Sequence, residues 1–280
     1  MKYIFTLLLL CTVLTAQQRI VALSPAINEI LFALGKRGEI VGNTTYATYP
    51  EAARHIPKVG GYFNVSFEKI VALSPTLVLM QRNNLALRPK LEKLGIKTEY
   101  VQITSLKDLE AGILKIGKLT DTTQKAKQIV LQIEQTLQSL RGILHDKKIL
   151  IVFGVNFDLK KEIFVSGNHL YFADIIRASG NRNAFDEPTA KQPMLSQEGI
   201  IALNPDIVYI LGHNIKENEI DKVIEPWLKL PVTAARAKTV YLTTKKYAGM
   251  PSQRVMLFMK DFKKVLEDAK GKLAALHDRR

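Results

Sequence analysis

The chain has 280 residues, 47% hydrophobic and 24% charged, which is an ordinary composition for a globular protein and leaves room for two domains. Its one cysteine, Cys11, lies in an N-terminal apolar stretch, so we expect neither disulfides nor thiolate catalysis in the mature protein. The formal net charge is +14, but the basic residues are scattered and are not interleaved with aromatic ones, which argues against a nucleic-acid partner.

The first sixteen residues predict an export signal. Lys2 precedes an apolar stretch at residues 3–14, and the small Ala16 stands before two glutamines. The stretch is too short for a permanent membrane helix, so we expect cleavage near Ala16 and a mature protein outside the cytoplasm. Lipid anchoring through Cys11 is disfavoured because the large Leu10 stands where such signals have a small residue.

Alternating strands and helices follow in residues 17–120, which we predict to form a first lobe. Ser24 and Pro25 begin a helix after the first strand, and Gly35 ends it. The hydrophobic pattern predicts strands at 19–23, 39–41, 76–80 and 98–101, and helices at 26–34, 88–94 and 106–119. This alternation is typical of parallel strands joined by helical crossovers.

A fifteen-residue unit occurs twice, as SFEKIVALSPTLVLM from Ser66 and as SQEGIIALNPDIVYI from Ser196, with seven identical positions. In each copy the serine can cap a short helix, and the glutamate two positions later favours its first turn. Pro75 and Pro205 then disfavour helical geometry in the residue before them, and a buried strand follows. Two copies 130 residues apart indicate two similar lobes rather than a solenoid.

Residues 121–145 predict one long amphipathic helix between the lobes. Apolar residues at three- and four-residue steps run from Ala126 to Leu144, and no Gly/Ser- or Pro-rich linker interrupts them. We expect a helix of about six turns from Asp121 to about Leu144. Such a helix would hold the two lobes at a nearly fixed spacing.

Residues 146–280 predict a second lobe with the same plan. We expect strands at 148–153, 162–165, 206–210 and 239–242, and helices at 170–178, 219–228 and 251–275. The predicted fold class is therefore α/β, with two lobes of mainly parallel sheet joined by one long rigid α-helix. The domain plan is a signal at 1–16, lobes at 17–120 and 146–280, and the linking helix at 121–145.

The motifs of common enzyme classes are missing. Residues 112–118 imitate a phosphate-binding loop, but Leu119 replaces the required Ser or Thr, and the segment is predicted to be helical without a preceding strand. The chain has no GxSxG motif and no evident pair of catalytic carboxylates. These features argue against a hydrolase or another nucleophilic enzyme.

Four stretches together carry a resemblance to a known family: RIVALSPAINEILFALG, VGNTTYATYPEAARHIPKVGGYFNVSFEKIVALSPTLVLM, FVSGNHLYFADIIRASG and SQEGIIALNPDIVYILG. In this order they resemble the periplasmic substrate-binding proteins of metal-chelate ABC importers, which include proteins for vitamin B12, ferric siderophores and haem. The resemblance implies a ligand cleft between the lobes, a periplasmic location and no catalysis. It also implies no required cofactor, a monomeric carrier, and an ABC permease with its ATPase as partners.

The loops that follow the strands should line this cleft, because open α/β sheets bind ligands at the carboxyl ends of their strands. Aromatic side chains beside cations in these loops suit a large flat or catecholate-like chelate that carries carboxylates or phosphate. The candidate cleft residues are Ser24, Pro25, Tyr46, Tyr49, Tyr62, Phe63, Gln81, Arg82, Asn156, Phe164, His169, His213, Lys245, Lys246, Tyr247 and Arg254.

Three of these residues are candidates for direct contact with the metal of the chelate. His169 and His213 follow strands of the second lobe, and imidazole suits iron, cobalt or nickel. Tyr62 is a possible phenolate ligand for ferric iron. The alternative is that these side chains are simply solvated, since no HExxH motif or paired histidine spacing marks a dedicated metal site.

Glu68 and Glu198 occupy the same position in the two repeat copies. The resemblance implies that these glutamates stand on the outer surface and pair with arginines of the membrane permease. Both residues would also be explained by the favourable interaction of an acid with a helix N-terminus.

The sequence leaves the ligand open among a corrinoid, a ferric siderophore and haem. Alternatives are a nickel or other transition-metal complex carried by the same class of importer, or a metal-cofactor enzyme, a chelatase, or a sensor or adhesin on the same fold. Turnover of a substrate by the purified protein would exclude the carrier, whereas ligand binding without an uptake phenotype would favour a sensor.

Overall fold

The computed structural model describes residues 17–187, 192–213 and 215–278. The predicted export signal lies outside the described residues. Within them, no helix combines the length and the apolar character that crossing a membrane requires.

The first lobe is built on a four-stranded parallel sheet. Its strands are β1 (Ile20–Ala22), β2 (Ile40–Asn43), β3 (Leu77–Met80) and β4 (Lys97–Tyr100), in the order β2-β1-β3-β4. Its helices are α1 (Pro25–Ala33), α2 (Phe67–Ala72), α3 (Arg88–Lys93) and α4 (Leu106–Leu119). The predicted alternation of strands and helices is confirmed in this lobe, with bounds that differ by one or two residues.

The helix that leads from the first lobe to the second is α5, which spans Thr123–Gln138. It begins and ends inside the predicted range of 121–144, because Asp121 and Gly142 take left-handed backbone angles, with φ of 53° and 77°. Leu140 and Leu144 remain buried although they lie beyond the helix. The apolar periodicity therefore continued past the last helical turn, since the following loop also faces the core.

The second lobe has a mixed sheet with a parallel centre. Its strands are β5 (Lys148–Phe153), β6 (Ile163–Val165), β7 (Arg182–Asn183), β8 (Met194–Leu195), β9 (Ile207–Leu211) and β10 (Val240–Thr243). The order is β10-β9-β5-β6-β8; β10, β9 and β5 are parallel, β6 is antiparallel to its neighbours, and β7 pairs with β5. The helices are α6 (Tyr171–Ala178), α7 (Gln197–Leu203), α8 (Ile220–Leu228), α9 (Thr233–Ala237) and α10 (Val255–His277).

The two copies of the repeat have the predicted geometry. The Ser66 and Ser196 hydroxyls each accept a hydrogen bond from a backbone N–H three residues later, at 3.2 Å in both copies, and so cap α2 and α7. The residues before the prolines, Ser74 and Asn204, leave the helical region with φ of 45° and 44°. The chain then enters β3 and β9, whose residues are all buried.

One hydrophobic core joins the two lobes. Alternate residues of each sheet, such as Ile20 of β1 and Ile149 of β5, belong to a single cluster that also contains residues of α1, α4, α5, α6 and α10. The opposite faces of the sheets pack separately, through Val21 under α2 and α3 and through Leu150 near Trp227 of α8. The predicted class, α/β with two lobes of mainly parallel sheet, is thereby confirmed.

Backbone and side-chain hydrogen bonds also tie the lobes together at the start of α6. The Tyr171 N–H donates to the Thr104 carbonyl oxygen at 2.9 Å. The Asp174 carboxylate accepts from the N–H of Leu106 at 2.8 Å, at the first turn of α4. The end of the first lobe is therefore bonded directly to the second, beside the cavity described next.

Candidate ligand cleft

A cavity of about 710 Å³ lies between the lobes at the carboxyl ends of the central strands. One wall comes from the segments that follow β1 to β4. The other comes from the segments that follow β5, β6, β9 and β10, together with Gln192 before β8. Its described lining is Ser24, Pro25, Ala26, Tyr46, Tyr62, Phe63, Gln81, Ile103, Thr104, Phe153, Gly154, Leu170, Tyr171, Phe172, Gln192, Leu211, His213, Gly249, Met250 and Pro251.

The lining is aromatic and apolar and, among the described residues, contains no Asp, Glu, Lys or Arg. On the first lobe the rings of Tyr62 and Phe63 meet edge to face at 4.8 Å between centroids. On the second, the Phe172 ring lies 5.5 Å from that of Phe153 and 4.1 Å from that of Tyr171. Such walls favour a ligand with a large flat apolar body.

Tyr62 is held in one orientation. Its hydroxyl donates to Gln81 Oε1 at 2.6 Å, and its carbonyl oxygen accepts from Asn83 Nδ2 at 2.6 Å. Gly60 shapes the turn before it, because its φ is 125° and any side chain there would collide with the Asn64 carbonyl. Burial raises the pKa of the Tyr62 phenol, so the side chain offers a protonated hydroxyl and an aromatic edge.

His213 stands at the edge of the cavity on the second lobe, after β9, with its ring beside Gly249. Burial first, and then the positive charge of Lys246, lower the pKa of the imidazole below its ordinary value. The ring is therefore neutral at pH 7 and has a lone pair available.

The loop that carries Tyr46 rests on a buried polar network. Lys58 Nζ donates to Asn43 Oδ1 at 2.6 Å and to the Ala53 carbonyl oxygen at 2.8 Å, and Asn43 Nδ2 donates to Asn28 Oδ1 at 3.0 Å. Burial, followed by the charge of Arg54, lowers the pKa of Lys58. These bonds satisfy the carbonyl oxygens of a loop that has little regular structure and fix it over the first lobe.

A smaller side cavity of about 490 Å³ opens next to the main one. Its described lining is Tyr62, Phe63, Gln81, Arg82, Asn83, Tyr100, Val101, Gln102, Ile103 and Thr104. All of these residues belong to the first lobe, and most follow β3 and β4. Five of them, namely Tyr62, Phe63, Gln81, Ile103 and Thr104, line both cavities.

Seven of the predicted cleft residues line the main cavity and Arg82 lines the side cavity; the seven are Ser24, Pro25, Tyr46, Tyr62, Phe63, Gln81 and His213. The other eight lie outside the described lining: Tyr49, Asn156, Phe164, His169, Lys245, Lys246, Tyr247 and Arg254. Among these eight, Tyr247, Arg254 and Tyr49 make side-chain contacts elsewhere. The Tyr247 hydroxyl donates to Asp261 Oδ2 at 2.5 Å, and the Arg254 guanidinium lies 3.7 Å from the centre of the Tyr49 ring.

Arg254 belongs to a buried ion pair that joins the lobes. From the start of α10 its guanidinium donates to both carboxylate oxygens of Glu29 in α1, with Nε to Oε2 at 2.8 Å. The side chains are 11% and 2% exposed. The Ser252 hydroxyl also donates to Glu29 Oε2, at 2.6 Å. A residue 225 positions away in the chain thus takes up the charge of Arg254.

Several lining residues were not predicted from the sequence, among them Ile103, Tyr171 and Phe172. Apolar side chains at strand ends and helix starts carry no signal that separates a cavity wall from the core. The position of each after a strand or at the first turn of a helix was the available indication, since these are the places where chain elements reach the edge of a sheet.

The described part of the chain has few side chains arranged as a metal-binding group would be. No group of three or more His, Cys, Asp or Glu side chains there could hold a metal ion. His213 and Tyr62 line the main cavity from opposite lobes, whereas His169 lies outside its described lining.

Glu68 and Glu198 are exposed in the first turns of α2 and α7, away from the cavity. The pKa of each carboxyl is lowered first by a hydrogen bond from its own backbone N–H and then by one from the capping serine. Both side chains are therefore ionised at neutral pH. They present matched negative charges at equivalent positions of the two lobes.

A protein-family model described as "Periplasmic binding protein" matches residues 20–247. Two curated relatives, each named Vitamin B12-binding protein, from Yersinia pestis (strain Pestoides F) and Yersinia pseudotuberculosis serotype O:1b (strain IP 31758), are 26% identical over 224 residues and match across 78% of this chain and 78% of their own.

Solved structures of similar fold include two binding proteins that are named for different ligands. The periplasmic heme-binding protein BhuT, in complex with two hemes, has a TM-score of 0.74 at 22% identity, covering 90% of this chain and 99% of its own. The periplasmic vitamin B12 binding protein BtuF of Vibrio cholerae has a TM-score of 0.74 at 20% identity, covering 90% and 97%. At these identities the likeness shows the fold.

Proposed function

Since the chain belongs to the periplasmic binding protein family, we propose that it captures a flat metal chelate of the corrin or porphyrin type and delivers it to the permease of an ABC importer. Members of this family are binding proteins and not enzymes. The transported metal belongs to the ligand and is cargo, and the importer's ATPase supplies the energy for transport.

The main cavity carries this proposal. Its described lining is aromatic and without charged side chains, and it lies between two lobes that share a core. Porphyrin and corrin macrocycles are wide and nearly flat, so they can pack against aromatic side chains and fill such a cavity. A compact, highly charged chelate would need charged partners, which the described lining lacks. Relatives named for vitamin B12 and structural neighbours named for haem support the same ligand class.

Glu68 and Glu198 support the delivery step. Their matched positions on the exposed first turns of two equivalent helices suit a partner with two basic sites, as a symmetric or pseudo-symmetric permease would have. The carrier would act as a monomer in the periplasm, with the cleft facing the membrane partner between these two charges.

Titration of the purified protein with ferric protoporphyrin IX and with cyanocobalamin, followed by visible absorption, tests the ligand class. We expect one of the two to bind at micromolar concentration or tighter. Phe63→Ala should weaken that binding by roughly tenfold, because Phe63 is 76% exposed and lines both cavities.

Phe157→Ala is the matched control, since Phe157 is also exposed, at 55%, but lies outside the described lining of either cavity. This control should leave the affinity unchanged. Failure of both chelates to bind, together with binding of a hydrophilic ferric siderophore or a nickel complex, would replace the proposed ligand class.

A further inference from the structure

The side cavity differs from the main one in charge. Arg82 is the one charged side chain in its described lining, whereas the described lining of the main cavity has none. The two cavities share the wall formed by Tyr62, Phe63 and Gln81, so a ligand seated on that wall can extend into both. This arrangement divides the cleft into an apolar compartment and a polar one.

The Arg82 guanidinium is available for a ligand. The residue is exposed, lies two positions after the end of β3, and makes no hydrogen bond or ion pair with another residue in the described part of the chain. A guanidinium has five N–H donors and binds carboxylate or phosphate oxygens in a planar, bidentate way. Within the side cavity it is therefore the strongest unused donor for an anion.

Other polar groups around the side cavity are already engaged. Asn83 Nδ2 donates to the Tyr62 carbonyl oxygen at 2.6 Å, and Gln102 Nε2 donates to Asp108 Oδ2 at 2.9 Å. Asp108 in turn accepts from the Ser105 N–H at 3.0 Å, as part of the cap of α4. Asp108 thus serves the helix start, and Glu99, which precedes the lining residue Tyr100, pairs with Lys115 Nζ at 2.8 Å. No counter-ion is paired with Arg82 in the described part of the chain.

We propose that the side cavity is a second subsite of the cleft, in which Arg82 binds an anionic arm of the chelate while the flat body lies in the main cavity. The arm would be a carboxylate, as on a porphyrin, or a phosphate, as in the nucleotide portion of a complete corrinoid. This inference rests on the proposed function and adds which part of the ligand each compartment receives.

Two pairs of ligands separate the anionic arm from the flat body. Ferric protoporphyrin IX is compared with its dimethyl ester, which has the same ring without free carboxylates. Cyanocobalamin is compared with dicyanocobinamide, which lacks the nucleotide portion with its phosphate. Affinities of all four are measured for the unaltered protein and for Arg82→Gln, Arg82→Lys and Arg37→Gln.

Arg37→Gln is the matched control because Arg37 is an exposed arginine of the same lobe that precedes β2, at the opposite edge of the sheet. It removes the same charge from the molecule without touching either cavity. Any general effect of lowering the net positive charge on the binding of anions would appear in this variant as well.

For the ligand pair that binds, Arg82→Gln should weaken the binding of the anionic member roughly tenfold or more. It should leave the affinity for the member without the anion unchanged. Arg82→Lys should restore part of the loss, and Arg37→Gln should have no effect. An effect confined to the porphyrin pair identifies a carboxylate arm, and one confined to the corrinoid pair a phosphate arm.

If Arg82→Gln weakens the binding of both members of the pair equally, or of neither member, the Arg82 subsite is wrong, although chelate binding itself stands. Absence of binding by all four ligands to the unaltered protein would instead remove the proposed function, and the subsite with it. Binding of the four ligands to the unaltered protein therefore distinguishes failure of the Arg82 subsite from failure of the proposed function.

Discussion

At the scale of single residues, protonation decides what Tyr62 and His213 can offer to a bound metal. Burial raises the pKa of Tyr62, and its hydroxyl already donates to Gln81, so forming a phenolate would require losing both the proton and this bond. Burial and Lys246 lower the pKa of His213, which keeps the imidazole neutral and able to donate a lone pair. Of the two, His213 is better prepared to approach a metal.

We expect His213→Ala to shift the visible absorption band of the bound chelate and to weaken its binding, if the metal has an open axial position that the imidazole occupies. The loss should be roughly tenfold. His169→Ala is the matched control, since His169 lies outside the described lining of the cavity. Identical spectra for His213→Ala and the unaltered protein would exclude coordination by His213.

At the scale of elements, the duplicated helix-proline-strand unit gives each lobe the same outward helix. The capping serine fixes where α2 and α7 begin, so each glutamate points from a first turn that starts at a defined residue. The sequence alone predicted this geometry because every part of it depends on neighbours within fifteen residues.

Replacing both glutamates, as Glu68→Gln with Glu198→Gln, should abolish uptake of the chelate in cells while leaving its affinity for the purified protein unchanged. The reason is that both charges are exposed and lie outside the described lining of either cavity, so a partner that docks on them would sense their loss and the bound ligand would not. Uptake assays in cells and titration of the purified variant provide the two measurements.

The control for this pair is Glu51→Gln with Glu225→Gln, which also removes one exposed acid from each lobe. Uptake should persist in the control. If the Glu68 and Glu198 double variant still supports uptake, the docking role is wrong, and the two acids serve only to stabilise their helix starts.

Elements whose ends depend on distant contacts were less predictable. The hydrophobic pattern located α4 and β5 at their observed bounds, yet it extended α5 by six residues, because the loop after Gln138 also packs on the core. The strands β7 and β8 have two residues each, and such short pairings carry no periodicity to detect.

Some residues of the candidate cleft could be predicted from the sequence, and others could not. Residues that lie one or two positions after a strand, such as Ser24, Gln81 and His213, line the main cavity, as the topology predicts. Arg254 stands at the N-cap of α10, and its charge is taken up by Glu29, a residue of the other lobe that is brought near only by the complete fold. No local pattern could reveal that pairing.

At the scale of the whole molecule, the Glu29 and Arg254 pair is the buried charged contact between the lobes in the described structure. Glu29→Gln should lower the free energy of unfolding by about 3 to 5 kcal/mol, because it leaves the Arg254 guanidinium buried without a counter-ion. Urea unfolding followed by circular dichroism measures this loss.

Arg54→Gln serves as the comparison, since it breaks the Arg54 and Glu51 pair, whose side chains are 52% and 77% exposed. That change should lower the free energy of unfolding by less than about 1 kcal/mol, because exposed ion pairs contribute little to stability. Equal losses for Glu29→Gln and Arg54→Gln would show that the interlobe pair does not stabilise the fold as its burial requires.

The hydrophobic core that both sheets share has a kinetic consequence. Spreading the lobes would bring part of this core into water, at about 25 cal/mol for each Å² of apolar surface uncovered. An isolated molecule should therefore release its ligand at a rate set by the contacts inside the cleft, with no opening motion to accelerate escape. Fast unloading would then depend on mechanical work done by another protein, and the residence time measured in solution would far exceed that during transport.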